Sequence, residues 1–151
     1  MNTYEINLTE LLAIAEDEHI NVVNYHFSPT KKAASMAARG FREILLDKPV
    51  ISGTEEECEL MMEEVGHLQT DTLAPILTSF NEADARAERL HAEGKQSLQT
   101  VKRFIPIADL QALLATPFEV TLDDMRRHFG VSAAVLDRAL SYYTETGQLN
   151  S

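Results

Sequence analysis

Cysteine is nearly absent from this chain, since Cys58 is the single one among 151 residues. It cannot form an internal disulfide, so the composition fits a protein of a reducing compartment. No apolar run approaches the roughly 20 residues that a membrane-spanning helix needs. The opening segment, MNTYEINLTELLAIAEDEH, carries acids where a signal peptide has a basic region and then an apolar one. We therefore expect a cytoplasmic protein with no membrane partner.

Basic residues are also scarce. The chain has 13 lysines and arginines against 24 aspartates and glutamates, and its formal net charge is −11. The resulting electric field repels the phosphates of nucleic acids and of anionic membranes. Non-specific nucleic-acid binding is therefore not expected.

The first part of the chain mixes helical and strand patterns. Residues 9–18 predict a short amphipathic helix with Thr9 as its N-cap. INVVNYHF, from Ile20, and GFREILLD, at 40–47, are rich in β-branched and aromatic residues and predict two strands. KKAASMAA between them is compatible with a helical turn or a third strand. This mixture predicts an α+β fold.

Two longer helices are predicted next. Thr54 and Glu57 have the spacing of a capping box, which marks the start of a helix over 54–70. A second long helix is predicted over 82–104, where Pro106 ends it.

The segment after Pro106 predicts several short helices, separated at Pro117 and at Gly130. We therefore expect two units, residues 1–106 and a small helical subdomain at 107–151. LDDMRRHFGVSAAVLDRAL has the order of a DNA-binding helix-turn-helix. Its charges nearly cancel, so packing or partner recognition is favoured over DNA contact.

The motif MEEVGH lies in the helix predicted over 54–70. Glu63 and His67 are four residues apart, so they share one face of a helix, with Cβ atoms about 6 Å apart. Together with Glu64 they have the layout of the zinc-protease motif H-E-x-x-H, in which two side chains hold zinc and the adjacent glutamate activates water. Carboxylate oxygen binds zinc at nearly the distance of imidazole nitrogen, so Glu63 can replace the first histidine.

A solvated acidic face with one ion pair is the plain alternative for E-E-x-x-H. The neighbouring Met61, Met62 and Val65 predict instead that the patch is largely buried, and buried carboxylates need a cation or hydrogen bonds. Gly66 costs about 1 kcal/mol of helix propensity, which close approach of another backbone or of a substrate would explain.

The order of elements and the motif ECELMMEEVGHLQT resemble the ImmA/IrrE family of metallopeptidases, whose prophage and mobile-element members often carry E-E-L-G-H. The resemblance spans nearly the whole chain in order, but the close matches are confined to residues 59–70 and to the approach to Pro106. It implies a zincin-like helix pair with a small N-terminal β-sheet and a C-terminal helical subdomain. It also implies a zinc-dependent endopeptidase that cleaves a protein substrate, namely a phage or mobile-element repressor.

In that family a third metal ligand is a glutamate on the next long helix, in a pattern similar to E-x-x-A-x-x-F/W-A-x-x-x-L-I-P. Counting back from FIP, EGKQSLQTVKRFIP places Glu93 at this position. The match between them is poor, because Gln96, Gln99 and Thr100 stand where the family has alanine, an aromatic residue and alanine.

Other assignments of the third ligand stay open. Glu88 and Asp71 are the alternatives, and an exposed acidic helix face is the plain interpretation of Glu88 and Glu93. Two carboxylates and one imidazole could also hold manganese or iron.

If the site is assembled, Zn²⁺ is held by Glu63, His67 and Glu93, and Glu64 takes the proton of the attacking water. Two carboxylates neutralise both charges of the ion, so we expect a weak Lewis acid and slow turnover. That rate suits a regulatory protease. The competing hypotheses are a metal-free protein-interaction module with the same fold and a DNA-binding regulator.

An oxyanion donor is also expected in such a site. His91, His26 and Tyr25 could supply it, and nothing in their spacing selects one. For each of His19, His26, His91 and His128, an ordinary polar residue is nevertheless the favoured interpretation over a site residue.

Overall fold

A computed structural model describes residues 2–27, 31–38, 41–70 and 96–149 of the protein. Within these ranges the fold is α+β, as the sequence predicted, and no helix there is both long and apolar enough to cross a bilayer. The helices are α1 (Thr3–Asp17), α2 (Thr54–Thr70), α3 (Leu98–Phe104), α4 (Ile107–Leu114), α5 (Leu122–Phe129) and α6 (Ala133–Glu145). The strands are β1 (Ile20–Asn24), β2 (Ala33–Ala38) and β3 (Phe41–Leu46), and a 3-10 turn follows at Lys48–Val50.

The first helix is longer than the predicted residues 9–18. It begins directly after Asn2, whose side chain accepts the amide hydrogen of Glu5 at 2.9 Å. Thr9, the predicted N-cap, lies inside the helix, and its hydroxyl donates to the Glu5 carbonyl at 3.0 Å. The predicted start was wrong because Asn2 caps at least as well as threonine and because the added turns bury Tyr4.

β3 is the central strand of the sheet, whose order is β1-β3-β2. β1 runs parallel to β3, and β2 runs antiparallel to it. Ile44 of β3 lies between Val22 of β1 and Ser35 of β2. The ambiguous KKAASMAA segment thus contains a strand, because it pairs with the edge of β3 that β1 leaves open.

α2 carries the motif and packs against α1, α3, β2 and β3. The predicted burial around Met61, Met62 and Val65 is confirmed, and these residues form a buried apolar stripe together with Cys58. Burial of this stripe fixes the rotation of α2 about its axis and therefore the direction in which the motif projects.

The start of α2 is as predicted, but the residues that cap it are not. Thr54 is already helical, and the carbonyl of Gly53 accepts the amide hydrogen of Glu57 at 2.9 Å. The carboxylate that reaches back belongs to Glu56, which accepts the amide hydrogen of Ser52 at 2.9 Å. The contact at the start of α2 thus joins Ser52 and Glu56 rather than the predicted Thr54 and Glu57.

The predicted continuous helix over 82–104 is wrong at residues 96 and 97, which are not helical. Ser97 instead caps α3, its hydroxyl accepting the amide hydrogen of Thr100 at 3.4 Å. Serine competes for backbone hydrogen bonds and favours the cap over the interior of a helix. The part of the prediction over 82–95 lies outside the described residues.

The C-terminal helices share one hydrophobic core with the N-terminal part. The Asn7 side-chain nitrogen on α1 donates to the carbonyls of Phe129 and Gly130, at 2.7 and 2.9 Å. Gly130 has a φ of 67°, and an added Cβ would lie 2.8 Å from Asn7 Nδ2, so this turn requires glycine. The helix-turn-helix segment thus packs its turn against α1, which favours the packing interpretation.

Candidate functional site

Glu63, Glu64 and His67 lie in the C-terminal half of α2. Glu64 and His67 are buried, with 7% and 6% of their surface exposed, and Glu63 is half-buried. The sequence predicted such burial from the methionines and valine around the motif. A buried carboxylate beside a buried imidazole is costly unless a ligand, a cation or hydrogen bonds compensate for lost water.

Glu64 and His67 face each other across one turn of α2. Glu64 Oε2 lies 3.7 Å from His67 Nδ1, which is within ion-pair range but beyond a hydrogen bond. In the described part of the chain, Glu64 Oε2 is buried with no hydrogen-bond partner. Folding therefore removes this acceptor from water, and no described residue replaces its hydrogen bond.

Gly66 is explained by close approach of another segment of the chain. A Cβ added there would lie 3.0 Å from Thr100 Oγ1 and 3.3 Å from Ser97 Cβ. Of the two explanations that the sequence allowed, backbone approach or substrate approach, the structure brings the start of α3 to this glycine. The missing side chain lets Ser97 and Thr100 lie directly beside the motif.

Gln96, the residue before Ser97, is a site candidate that the sequence reasoning missed. It is buried, with 6% of its surface exposed, and its Nε2 has no hydrogen-bond partner among the described residues. Gln96 entered the sequence comparison only as a mismatch, a polar residue where the ImmA/IrrE pattern has alanine. That mismatch was the available signal, because a polar side chain at a position expected to pack closely requires a partner.

The candidates for the third metal ligand lie in a part of the chain that the structure does not describe. These candidates are Glu93, Glu88 and Asp71, and His91 lies there as well. Within residues 2–27, 31–38, 41–70 and 96–149, no group of three histidine, cysteine, aspartate or glutamate side chains is arranged to hold a metal ion. Of the predicted metal ligands, Glu63 and His67 are the two that the described residues include.

His26 and Tyr25, the other expected oxyanion donors, follow the end of β1. His26 Nδ1 lies 3.0 Å from Asp47 Oδ2, and its side chain is 86% exposed. Asp47 is buried and also accepts the amide hydrogen of Phe27 at 3.1 Å. Tyr25 is half-exposed, and its ring lies 4.9 Å from that of Phe27. His26 therefore pairs with Asp47 beside the sheet.

The two remaining histidines lie elsewhere on the surface. His19 adopts a positive φ of 58° in the turn between α1 and β1. His128 stacks edge-on against Phe129 of α5, with ring centroids 4.9 Å apart.

The N-terminal half of α2 is held by Arg126 of α5. Its Nη1 lies 2.6 Å from Glu55 Oε1 and 2.9 Å from Glu59 Oε1. The hydrogen bonds that its guanidinium donates to Glu55 and Asp123 raise the pKa of Arg126. Burial raises the pKa of Glu59 in spite of this partner, and the negative charge of Glu63 raises it further. Glu55 and Glu59, which precede the motif, thus hold α2 against α5 through Arg126.

Comparison with protein-family models, curated proteins and solved structures finds no match to this chain. A functional assignment therefore has to come from the chain's own residues and from the motif resemblance.

Proposed function

We propose that the protein is a zinc-dependent endopeptidase of the ImmA/IrrE type, with a zincin-like pairing of α2 and the segment that follows it. The observation that carries this proposal is the buried Glu64 oxygen with no hydrogen-bond partner in the described chain, one turn from the buried His67. A general base needs such a free acceptor atom, held close to the metal ligands.

Glu63 and His67 fit a metal ion, because carboxylate oxygen and imidazole nitrogen are zinc donors and the two residues share one helix face. Nδ1 of His67 faces Glu64, so Nε2 would be the atom that binds the metal. Glu93 is the proposed third ligand; it comes from the resemblance and lies outside the described residues. When bound, zinc would supply a Lewis acid for a peptide carbonyl and for a water molecule.

The chain's own contribution to hydrolysis is proton transfer. Glu64 Oε2 accepts a proton from water as the water oxygen adds to the carbonyl carbon. The same proton then passes to the amide nitrogen as the carbon–nitrogen bond breaks. Burial of Glu64 and His67 keeps bulk water away from both steps.

A repressor of a phage or mobile element is the proposed substrate, and this follows from the resemblance alone. Two carboxylate ligands would leave the metal with little net charge, so we expect slow turnover. A slow enzyme with one protein substrate is the expected form of a regulatory protease.

Zinc content per chain tests the proposal, measured on the wild type and on the Glu63→Ala and His67→Ala variants. We expect about one zinc per chain in the wild type and loss in both variants. His128→Ala, a histidine that stacks on Phe129, is the matched control and should keep its zinc. Absence of zinc from the wild type after incubation at neutral pH would refute the metalloenzyme proposal.

A metal-free interaction module is the second candidate. It is favoured by the connection between α4 and α5, where Leu114, Phe118 and Leu122 are exposed and Phe118 shows 79% of its surface. Exposed large apolar side chains mark protein contacts when they cluster. Equilibrium dialysis with zinc distinguishes the peptidase from the interaction module. The interaction module requires that the wild-type protein does not retain zinc.

A further inference from the structure

Two buried polar atoms, one in the motif and one in the residue before Ser97, have complementary chemistry. Glu64 Oε2 is a hydrogen-bond acceptor and Gln96 Nε2 is a donor, and neither has a hydrogen-bond partner in the described part of the chain. Each costs free energy in the folded protein, because the unfolded chain would bond the same atom to water. Such groups persist where a bound molecule uses them.

Gln96 is placed beside the motif by the contact between α2 and α3. The backbone nitrogen of Ser97, to which Gln96 is covalently joined, lies 4.0 Å from the Cβ position of Gly66. Gly66 directly precedes His67 and lies one turn beyond Glu63, so both candidate ligands are neighbours of this contact. Gln96 precedes this contact by one residue, and its side chain is buried.

We propose that Gln96 is the oxyanion donor, its Nε2 donating a hydrogen bond to the carbonyl oxygen of the peptide bond to be cleaved. This inference rests on the proposed function. As water adds, the carbonyl π electrons move onto that oxygen while the water proton passes to Glu64. A preorganised donor stabilises the charge that develops there. Gln96 thus takes the role for which the sequence suggested His91, His26 or Tyr25.

The test is replacement of Gln96 by methionine, which keeps the volume of the side chain and removes the amide. Without ligand, the melting temperature of the metal-free protein should rise by about 2–4 °C, because an unsatisfied buried donor is lost. Binding of acetohydroxamate, whose carbonyl oxygen mimics that of a peptide, to the zinc-loaded protein should weaken about tenfold in calorimetry. Zinc content itself should not change.

Gln99→Met is the matched control, because Gln99 lies three residues further along, on α3, with an exposed side chain. It should alter neither the melting temperature nor acetohydroxamate binding. Gln96→Leu serves as a second variant of similar volume, so that one poorly packed side chain does not decide the result.

Three results would overturn the role of Gln96. A lower melting temperature, or loss of folding in both Gln96 variants, would assign the amide to structure. Unchanged acetohydroxamate binding in the zinc-loaded Gln96→Met protein would remove it from the site while leaving the peptidase proposal intact. A wild type that binds no zinc would refute the proposed function itself, and the oxyanion role with it.

Discussion

Arg126 on α5 lies 2.9 Å from Glu59 on α2, one helical turn before Glu63. The same guanidinium group contacts Glu55, and it accounts for two acidic residues that precede the motif. Its side chain is only 18% exposed, so the contact is shielded from solvent. The C-terminal helices therefore help to hold the helix that carries the candidate site.

Replacement of Arg126 by methionine should lower the free energy of unfolding by about 2–3 kcal/mol, because Glu55 and Glu59 would lose their common cation. Urea unfolding followed by circular dichroism measures this change. Arg127→Met is the control: Arg127 pairs with Asp123 but is 60% exposed, so little change is expected. Equal effects of the two substitutions would contradict a special role for Arg126.

Glu59 should give the protein a characteristic pH dependence. Burial raises its pKa above the ordinary 4.5, so the folded chain holds this proton more tightly than the unfolded chain. Stability relative to Glu59→Gln should therefore fall as the pH rises from about 4.5 through the raised folded pKa, and then level off. Urea unfolding of both proteins across this range provides the measurement. A difference that is independent of pH would show that burial does not perturb Glu59.

Removal of the Glu64 carboxylate should stabilise the metal-free protein. In Glu64→Met the oxygen that has no hydrogen-bond partner in the described chain is gone, and we expect a gain of about 1–2 kcal/mol. Calorimetric melting is the measurement, and zinc content should stay at the wild-type level because Glu64 is not a proposed ligand. A large loss of stability would instead identify Glu64 and His67 as a structural ion pair.

Gly66→Ala should destabilise the protein, although alanine favours a helix by about 1 kcal/mol. The new Cβ would meet Thr100 Oγ1 at 3.0 Å, and crowding in a packed interface costs about 1–3 kcal/mol. A double-mutant cycle with Thr100→Ala checks the cause by unfolding free energies. Gly66→Ala should cost less in the Thr100→Ala background, whereas additive effects would exclude this contact as the origin.

Local patterns in the sequence determined much of this protein. The α+β class, the two predicted strands, the helix over 54–70 and the buried stripe that includes Met61 and Val65 are all present in the structure. Ser132 caps α6 as its position after Gly130 suggests. These features depend on residues a few positions apart, so short-range hydrogen bonding and hydrophobic periodicity suffice to predict them.

The motif is equally local. The spacing of Glu63, Glu64 and His67 places them on one helix from sequence alone, and their surroundings predicted the burial of Glu64 and His67. The contacts of individual atoms do not follow from this spacing. The 3.7 Å separation of Glu64 from His67 depends on side-chain directions that spacing does not specify.

Tertiary structure decided the remaining features. KKAASMAA contains a strand because β3 had a free edge, and the helix predicted over 82–104 is interrupted at residues 96 and 97. Gln96 became a candidate only when Gly66 brought the start of α3 against α2. The contact of Gly66 with Ser97 joins residues some 30 positions apart, and its free energy comes from packing that no short window of sequence contains.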